Sequence, residues 1–156
     1  MLWLKENIPE EADELDESLL DNGTEVGKVA KSLFGPYIDV SFNDDLKIMI
    51  NDTEKLLHLD KVIITEASFT YKNNFCSIDI LKKNNNTYEI YEIKSSTELK
   101  DIYINDASYQ YYVLTKLGLK VTKVCIVHIN RNYIRKGELD LDQLFKKQDI
   151  TKEVLE

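Results

Sequence analysis

The chain has 156 residues, of which 43% are hydrophobic and 31% charged, with a formal net charge of −8. This length suits one domain with a sizeable core, and this composition excludes a disordered chain. The longest apolar run, around Val124–Val127, is too short for a membrane span, and no secretory leader is visible. Cys76 and Cys125 both lie in predicted strands, and we expect buried free thiols in a cytoplasmic protein, with a disulfide as the alternative.

The negative charge is unevenly distributed along the chain. Between Glu6 and Asp21 there are eight carboxylates and no basic residue, whereas the stretch from Lys82 to Lys147 mixes both signs. Nucleic-acid binding usually leaves a basic footprint, and the chain as a whole has none. A local basic groove in the second half is compatible with this composition, so the bulk charge does not exclude DNA as a partner.

The first third of the chain is predicted to be mainly helical after an acidic segment, residues 1–21. Asp21-Asn22-Gly23-Thr24 offers helix-start chemistry, and Gly35-Pro36 ends the helix. Between them, four apolar residues recur at helical spacing: Val26, Val29, Ala30 and Leu33. Tyr37–Phe42 is a short strand candidate, and Asp44–His58 is predicted to form a second helix.

The middle of the chain is predicted to be a strand, a hairpin, a helix and a strand. These elements are Lys61–Tyr71, then Phe75–Leu81 and Thr87–Lys94 around an asparagine-rich turn at Lys82–Asn86, then Asp106–Leu117 with Asp106 as N-cap, then Val121–Ile129. Residues 131–156 show no clear period and are interpreted as a C-terminal extension of a core spanning 22–130. This order predicts an α/β fold with a central mixed β-sheet flanked by helices.

Three residues of the hairpin are candidates for shared chemistry. Side chains alternate along a strand, so Glu92 and Lys94 point the same way, and a suitable register brings the Asp79 carboxylate close to Glu92. An acid at position 79, within an apolar strand, is costly unless it is paired or ligated. Two carboxylates beside a lysine can hold a hard cation and steady a phosphate. The alternative for Glu92 and Lys94 is an exposed cross-strand charge stripe.

This pattern resembles the active-site signature of the PD-(D/E)xK nuclease superfamily, in which an acid on one strand precedes (Asp/Glu)-x-Lys on the next. That superfamily has a restriction-endonuclease-like αβββαβ core, which the predicted order matches. Gln110 lies on the following helix, as in the RecB-like and CRISPR-associated exonuclease branch. The chain also resembles a bacterial family of unknown function with a RecB-like nuclease core. The resemblance also covers Leu2-Trp3-Leu4-Lys5, Gly23-Thr24-Glu25-Val26-Gly27, Glu66-Ala67-Ser68-Phe69, Asp106-Ala107-Ser108-Tyr109-Gln110 and Gly137-Glu138-Leu139-Asp140.

The resemblance implies a Mg²⁺- or Mn²⁺-dependent (exo)deoxyribonuclease, acting on single-stranded DNA or duplex ends in DNA repair or defence. Asp79, Glu92 and the backbone carbonyl of Ile93 would hold the metal, and Lys94 would assist the attacking water. The implied supporting residues are Glu66, Gln110 and Glu25. The chain departs from many RecB-like members at two positions. It has Gly27 where they have a metal-binding histidine, and Leu114 where they have a tyrosine.

The resemblance further implies that this chain is a core cut from a longer protein, whose other domains would be partners. Flanking cysteines of that parent would hold an iron–sulfur cluster. Cys76 and Cys125 lie inside strands and cannot replace the missing set, because a cluster needs four thiolates gathered at one place.

Several residues keep a structural interpretation beside the functional one. Glu66 is either a supporting acid or a solvent-facing strand residue, and Gln110 either supports the site or bridges helices. His58 and His128 are expected to be structural, and three tyrosines are expected to lie in the core rather than form a stacking platform: Tyr109, Tyr111 and Tyr112. For the whole chain, the alternatives are a degenerate nuclease-fold module that binds DNA or a protein partner, and a subunit with a role in assembly.

Overall fold

A computed structural model describes residues 23–130 and 141–155. Six strands form one sheet in chain order: β1 Ile38–Asp39, β2 Lys61–Tyr71, β3 Asn74–Asn84, β4 Thr87–Ile93, β5 Lys120–Ile129 and β6 Phe145–Asp149. The pairs β1–β2 and β4–β5 are parallel and the other three are antiparallel, so the sheet is mixed. The helices are α1 Gly23–Lys31, α2 Leu46–Leu56, α3 Asp101–Lys116, α4 Leu141–Leu144 and α5 Thr151–Leu155, with a 3-10 turn at Ser32–Phe34 after α1.

Apolar side chains cover both faces of the sheet and form two cores. In the first core, α2, α3 and α5 contribute Met49, Leu114 and Val154 against one face of the strands. In the second core, α1 contributes Val29 and Ala30 against the other face. The predicted α/β fold is therefore confirmed, and the order α1, β2, β3, β4, α3, β5 follows the αβββαβ pattern. None of the described helices has the length and apolar composition to span a membrane.

The structure corrects the predicted start of α3. The helix begins at Asp101 rather than Asp106, and Lys100 occupies the N-cap position without a capping side chain. The first turn contains Ile102, Tyr103 and Ile104, which have low helix propensity and hid the helix start in the sequence. Tyr103 and Ile104 pack against the first core, so tertiary packing outweighs local propensity here. At the other end, α3 closes at Lys116, and Leu117 follows it as an exposed residue.

The asparagine-rich turn is shorter than predicted. β3 continues through Lys82, Lys83 and Asn84, and the β3–β4 hairpin closes around Asn85 and Asn86. Asn85 has a φ of 56°, in the left-handed region that asparagine tolerates better than most residues. Lys83 stays in the strand because its side chain is buried and its ammonium donates to the Leu59 carbonyl over 2.6 Å.

The C-terminal stretch, for which no element was predicted, supplies the edge strand β6. It pairs antiparallel with β5, from Cys125 opposite Asp149 to Ile129 opposite Phe145. Four of its five residues are polar and only Phe145 is buried, which is why the sequence shows no strand period there. The segments at 1–22 and 131–140, which include the acidic N-terminal residues and two of the family-like motifs, lie outside the described residues.

Strands β2 and β3 change face at the same level of the sheet. Ile64 and Ala67 both point into the first core, although residues three apart in a regular strand face opposite sides. Glu66, between them, has a φ of 60°, a conformation that is strained for a residue with a side chain. The opposite strand shows the same change, because Ile78 and Leu81 also share the first core. Asp79 lies at this level, so the irregular part of the sheet coincides with the predicted site.

A buried threonine links α2 to β2 and provides a test of this packing. The hydroxyl of Thr53 donates to the Met49 carbonyl and accepts from the backbone N–H of Ser68, both over 2.9 Å. In Thr53→Val the buried Ser68 N–H loses its partner, so we expect unfolding free energy to fall by about 1–3 kcal/mol. Thermal melts should show a loss of roughly 3–10 °C. The exposed Thr70→Val on β2 is the control, and equal melting of both variants would contradict the packing.

Candidate active site

The two hairpin carboxylates lie next to each other on neighbouring strands. Ile80 on β3 pairs with Tyr91 on β4. Because the two strands are antiparallel, Asp79, the residue before Ile80, lies opposite Glu92, the residue after Tyr91. Asp79 acts on Glu92 through its charge and through hydrogen bonding, and both raise the pKa of Glu92, so the two carboxyl groups are in close contact. The backbone N–H of Ile93 donates to Asp79 Oδ2 over 2.8 Å. The predicted juxtaposition of the two carboxylates is therefore confirmed.

Glu92 is the buried member of this pair. Its residue is 8% exposed, and Gln110 Nε2 donates to its Oε2 over 2.9 Å. Burial raises the pKa of Glu92 from 4.5 to about 9, and the hydrogen bond and charge of Asp79 act in the same direction. Lys94 and Gln110 oppose the shift without cancelling it. The pocket therefore penalises a charge on Glu92 unless a further positive group compensates it.

Lys94 is the cation of the site. Its Nζ lies 3.0 Å from Asp106 Oδ2 and 3.7 Å from Glu92 Oε2. The ammonium also lies 5.1 Å from the ring centroid of Tyr103. Burial lowers the pKa of Lys94, but the hydrogen bond to Asp106 and the nearby carboxylate charges outweigh burial, so the pKa is above its usual value. Lys94 is consequently a protonated point charge at neutral pH.

Gln110 has one polar atom without a partner. Its Nε2 binds Glu92, but its Oε1 is buried and, within the part of the chain that the structure describes, makes no hydrogen bond. A buried carbonyl oxygen without a partner is costly and is rare in folded proteins. This oxygen belongs to the amide that contacts Glu92, so the unsatisfied polar group lies next to the carboxylate pair.

The donor set is compatible with a hard divalent cation. Mg²⁺ commonly uses one or two protein carboxylates and keeps several waters, so Asp79 and Glu92 are sufficient in number. The N–H of Lys94 donates to the Val127 carbonyl on β5. The carbonyl of Ile93, in the same trans peptide, therefore points away from β5 and toward β3, where Asp79 lies. In residues 23–130 and 141–155, three or more His, Cys, Asp or Glu side chains nowhere gather into a metal-binding group.

Glu66 lies beside a different cluster. Its carboxylate accepts from Lys31 Nζ over 3.1 Å and from the hydroxyl of Ser77 over 3.3 Å. Lys31 is also 3.8 Å from Asp39, so these contacts tie α1 to β2 on the face of the second core. Gln110 is at the carboxylate pair, as described above. Glu25 belongs to α1, but its side chain lies outside the described residues.

Asp106 contacts the site in a way that its sequence context did not indicate. It was expected to be a helix N-cap, but it lies inside α3 and its carboxylate pairs with Lys94. Asp106 precedes Gln110 by four residues, so both lie on one side of the helix. That spacing is the signal that could have identified it, since a helix side with one site residue is a natural place for a second.

The remaining candidates divide between structural and exposed positions. His128 is buried and bonded to the Ile129 carbonyl and to Gln148, as a structural histidine would be, and His58 is exposed. Both cysteines are buried free thiols, as expected. Burial, followed by the charge of Glu92, raises the pKa of Cys76 to about 12, which makes it unreactive at neutral pH.

The chain was also compared with known proteins. No protein-family model matches it, and a search of the curated proteins finds no match.

Proposed function

We propose that this chain is a metal-dependent nuclease of the PD-(D/E)xK superfamily that hydrolyses DNA phosphodiester bonds. The observation that carries the proposal is the buried contact between Asp79 and Glu92, with Lys94 3.7 Å from Glu92. Two carboxylates in hydrogen-bond contact repel each other when both are ionised. An arrangement that costs stability in this way is typical of a site that serves function.

Asp79 and Glu92 would hold Mg²⁺ or Mn²⁺, together with the Ile93 carbonyl. When bound there, the ion would acidify a water and polarise the phosphoryl oxygen. Its positive charge would also compensate the two carboxylates and allow Glu92 to ionise. The net charge of −8 therefore does not argue against a polyanionic substrate.

Lys94 would serve as a fixed positive charge beside the reacting phosphate. Because its pKa is raised, Lys94 is protonated at neutral pH, so it is suited to donate hydrogen bonds rather than to accept a proton. Asp106 and the Tyr103 ring hold the ammonium in place. A positioned cation of this kind stabilises the charge that develops on the phosphoryl group.

Gln110 would position Glu92 rather than react. Its amide N–H donates to Glu92 Oε2 from α3, across the face of β4. Since this bond favours the ionised carboxylate, Gln110 prepares Glu92 for cation binding. Asp106 on the same helix acts in a comparable way on Lys94, so α3 organises both ends of the site.

The direct test is cleavage by the purified chain. Labelled linear duplex, circular duplex and single-stranded DNA, with a labelled RNA for comparison, should be incubated with Mg²⁺, Mn²⁺ or EDTA. We expect cleavage of at least one DNA with Mg²⁺ or Mn²⁺ and none with EDTA, because the carboxylates cannot supply the nucleophile alone. Stable binding of DNA without cleavage under every metal condition would instead indicate the degenerate, binding-only module.

A further inference from the structure

Two tyrosines on α3 are exposed beside the candidate site. Tyr109 and Tyr112 are 41% and 43% exposed, whereas Tyr111 packs against the first core. The expectation that all three lie in the core is therefore wrong for two of them, because successive residues on a helix point in different directions. Tyr109 directly precedes Gln110, so the first of the two exposed rings is next in sequence to a residue of the candidate site.

Both exposed rings are held in fixed orientations by the β2–β3 hairpin. The hydroxyl of Tyr109 donates to the Phe75 carbonyl over 2.8 Å. The ring of Tyr112 meets Tyr71 edge-on, with centroids 6.2 Å apart and planes at 79°. A ring that is already ordered loses little conformational entropy when a flat ligand stacks on it.

Two lysines accompany these rings. Lys72, in the β2–β3 turn, has its ammonium 5.5 Å from the Tyr71 ring centroid, and Lys116 lies 5.8 Å from that of Tyr112. Among the described residues, neither ammonium forms a salt bridge. Within the described part of the chain, two ammonium groups therefore lie beside the rings without a carboxylate partner, although the whole chain has a net charge of −8.

We propose that single-stranded nucleic acid binds at this tyrosine–lysine surface, formed by Tyr71, Lys72, Tyr109, Tyr112 and Lys116. Unpaired bases stack on the rings, and the lysines contact the phosphates. The inference rests on the proposed nuclease function and assigns the surface that would hold the strand. A single strand is favoured because stacking requires an open base face, which a duplex hides inside its own stack. The surface would guide the strand along α3 toward Lys94.

Binding should be measured by fluorescence anisotropy in EDTA, so that the result is independent of cleavage. The probe is a labelled oligothymidylate, with an unlabelled single strand or duplex of equal length as competitor. We expect the single strand to compete better than the duplex. Tyr112→Ala should raise the Kd about 5- to 100-fold, and Tyr112→Phe should stay near wild type because the ring is kept. Tyr37→Ala, at a tyrosine 40% exposed beside β1, is the matched control.

The contribution of the lysines is visible in the salt dependence. Each lysine that contacts a phosphate of a single strand contributes about 0.7 to the slope of log K against log salt. Lys116→Gln should therefore reduce that slope by about 0.7, and Lys47→Gln on α2 should leave it unchanged. Thermal melts of every variant establish that it is folded before binding is compared.

Three results would overturn the inference: equal competition by duplex, wild-type affinity in folded Tyr112→Ala, or an equal loss in Tyr112→Phe. If Tyr112→Ala does not fold, two measurements still test the inference. They are the competition between single strand and duplex, and the salt dependence of binding by Lys116→Gln. The proposed nuclease function is judged separately, by metal-dependent cleavage. If the chain cuts duplex DNA but does not bind single strands, the proposed function stands and this inference is wrong. If the chain binds single strands through Tyr112 but cuts no DNA, the inference stands and the proposed function is wrong.

Discussion

Lys94→Ala is expected to reduce cleavage by about 10²–10³-fold while leaving Mn²⁺ affinity near the wild-type value. The ammonium of Lys94 is a hydrogen-bond donor 3.7 Å from Glu92 and cannot itself ligate a cation. Its loss removes a positive charge needed when the phosphoryl group gains charge, an effect of this order in other enzymes. Isothermal titration with Mn²⁺ and an initial-rate cleavage assay measure the two effects separately.

The opposite pattern is expected for the carboxylates in the same pair of assays. Asp79→Asn and Glu92→Gln keep the size of the side chain but remove its charge, so both should lose Mn²⁺ affinity and cleavage together. Lys100→Ala is the matched control for Lys94, because Lys100 also lies over the Tyr103 ring, at 5.9 Å, and forms no salt bridge in the described residues. Equal Mn²⁺ affinity in wild type and Asp79→Asn would contradict the ligand assignment.

Glu92→Gln is expected to stabilise the metal-free protein at pH 8. In the folded chain the pKa of Glu92 is raised from 4.5 to about 9, chiefly by burial. Between these two values the folded state holds a proton that the unfolded chain has released, so stability falls as pH rises through this interval. Glutamine cannot ionise and can keep the contact with Gln110. The gain over wild type should therefore be larger at pH 8 than at pH 5.

Thermal melts in EDTA at the two pH values measure this effect. Glutamine removes the cost of keeping Glu92 protonated in the folded chain, so the melting temperature at pH 8 should rise by roughly 3–10 °C. Addition of Mn²⁺ should then stabilise the wild type, because the cation binds only the folded site, and should do little for Glu92→Gln. Glu54→Gln on α2, an exposed carboxylate, is the control and should change neither melt. A Glu92→Gln protein less stable than wild type at pH 8 would contradict the proposed cost of the site.

Short-range patterns in the sequence were enough to predict most of the strands and helices of the fold. The bounds of β2 were predicted as the structure has them, and β4 and β5 differ by one residue at one end. The two-residue period of strands and the asparagine turn also placed Asp79 and Glu92 side by side. These features are set by backbone geometry within a few residues, so they can be recognised without knowledge of distant contacts.

Contacts between distant segments were not visible in the same way. The Lys94–Asp106 pair and the bond from Gln110 to Glu92 depend on how α3 crosses the sheet. The orientation of Glu66 toward Lys31 depends on the strained backbone of Glu66. No neighbouring residue, such as a glycine, indicates that backbone conformation in the sequence. Strand β6 was also not predicted. Its composition is mixed, and it is ordered mainly by its pairing with β5, which the local sequence does not show.

The sequence by itself therefore determined the order of elements and the three residues of the hairpin constellation, since both follow from short-range periodicity. Only the tertiary structure decided the chemical state of those residues. Glu92 is buried and carries a raised pKa because α3 covers it and Asp79 lies beside it, and Lys94 stays charged because Asp106 reaches it from that helix. Burial and electrostatic contact are properties of the folded neighbourhood, so a residue's position in the chain does not reveal them.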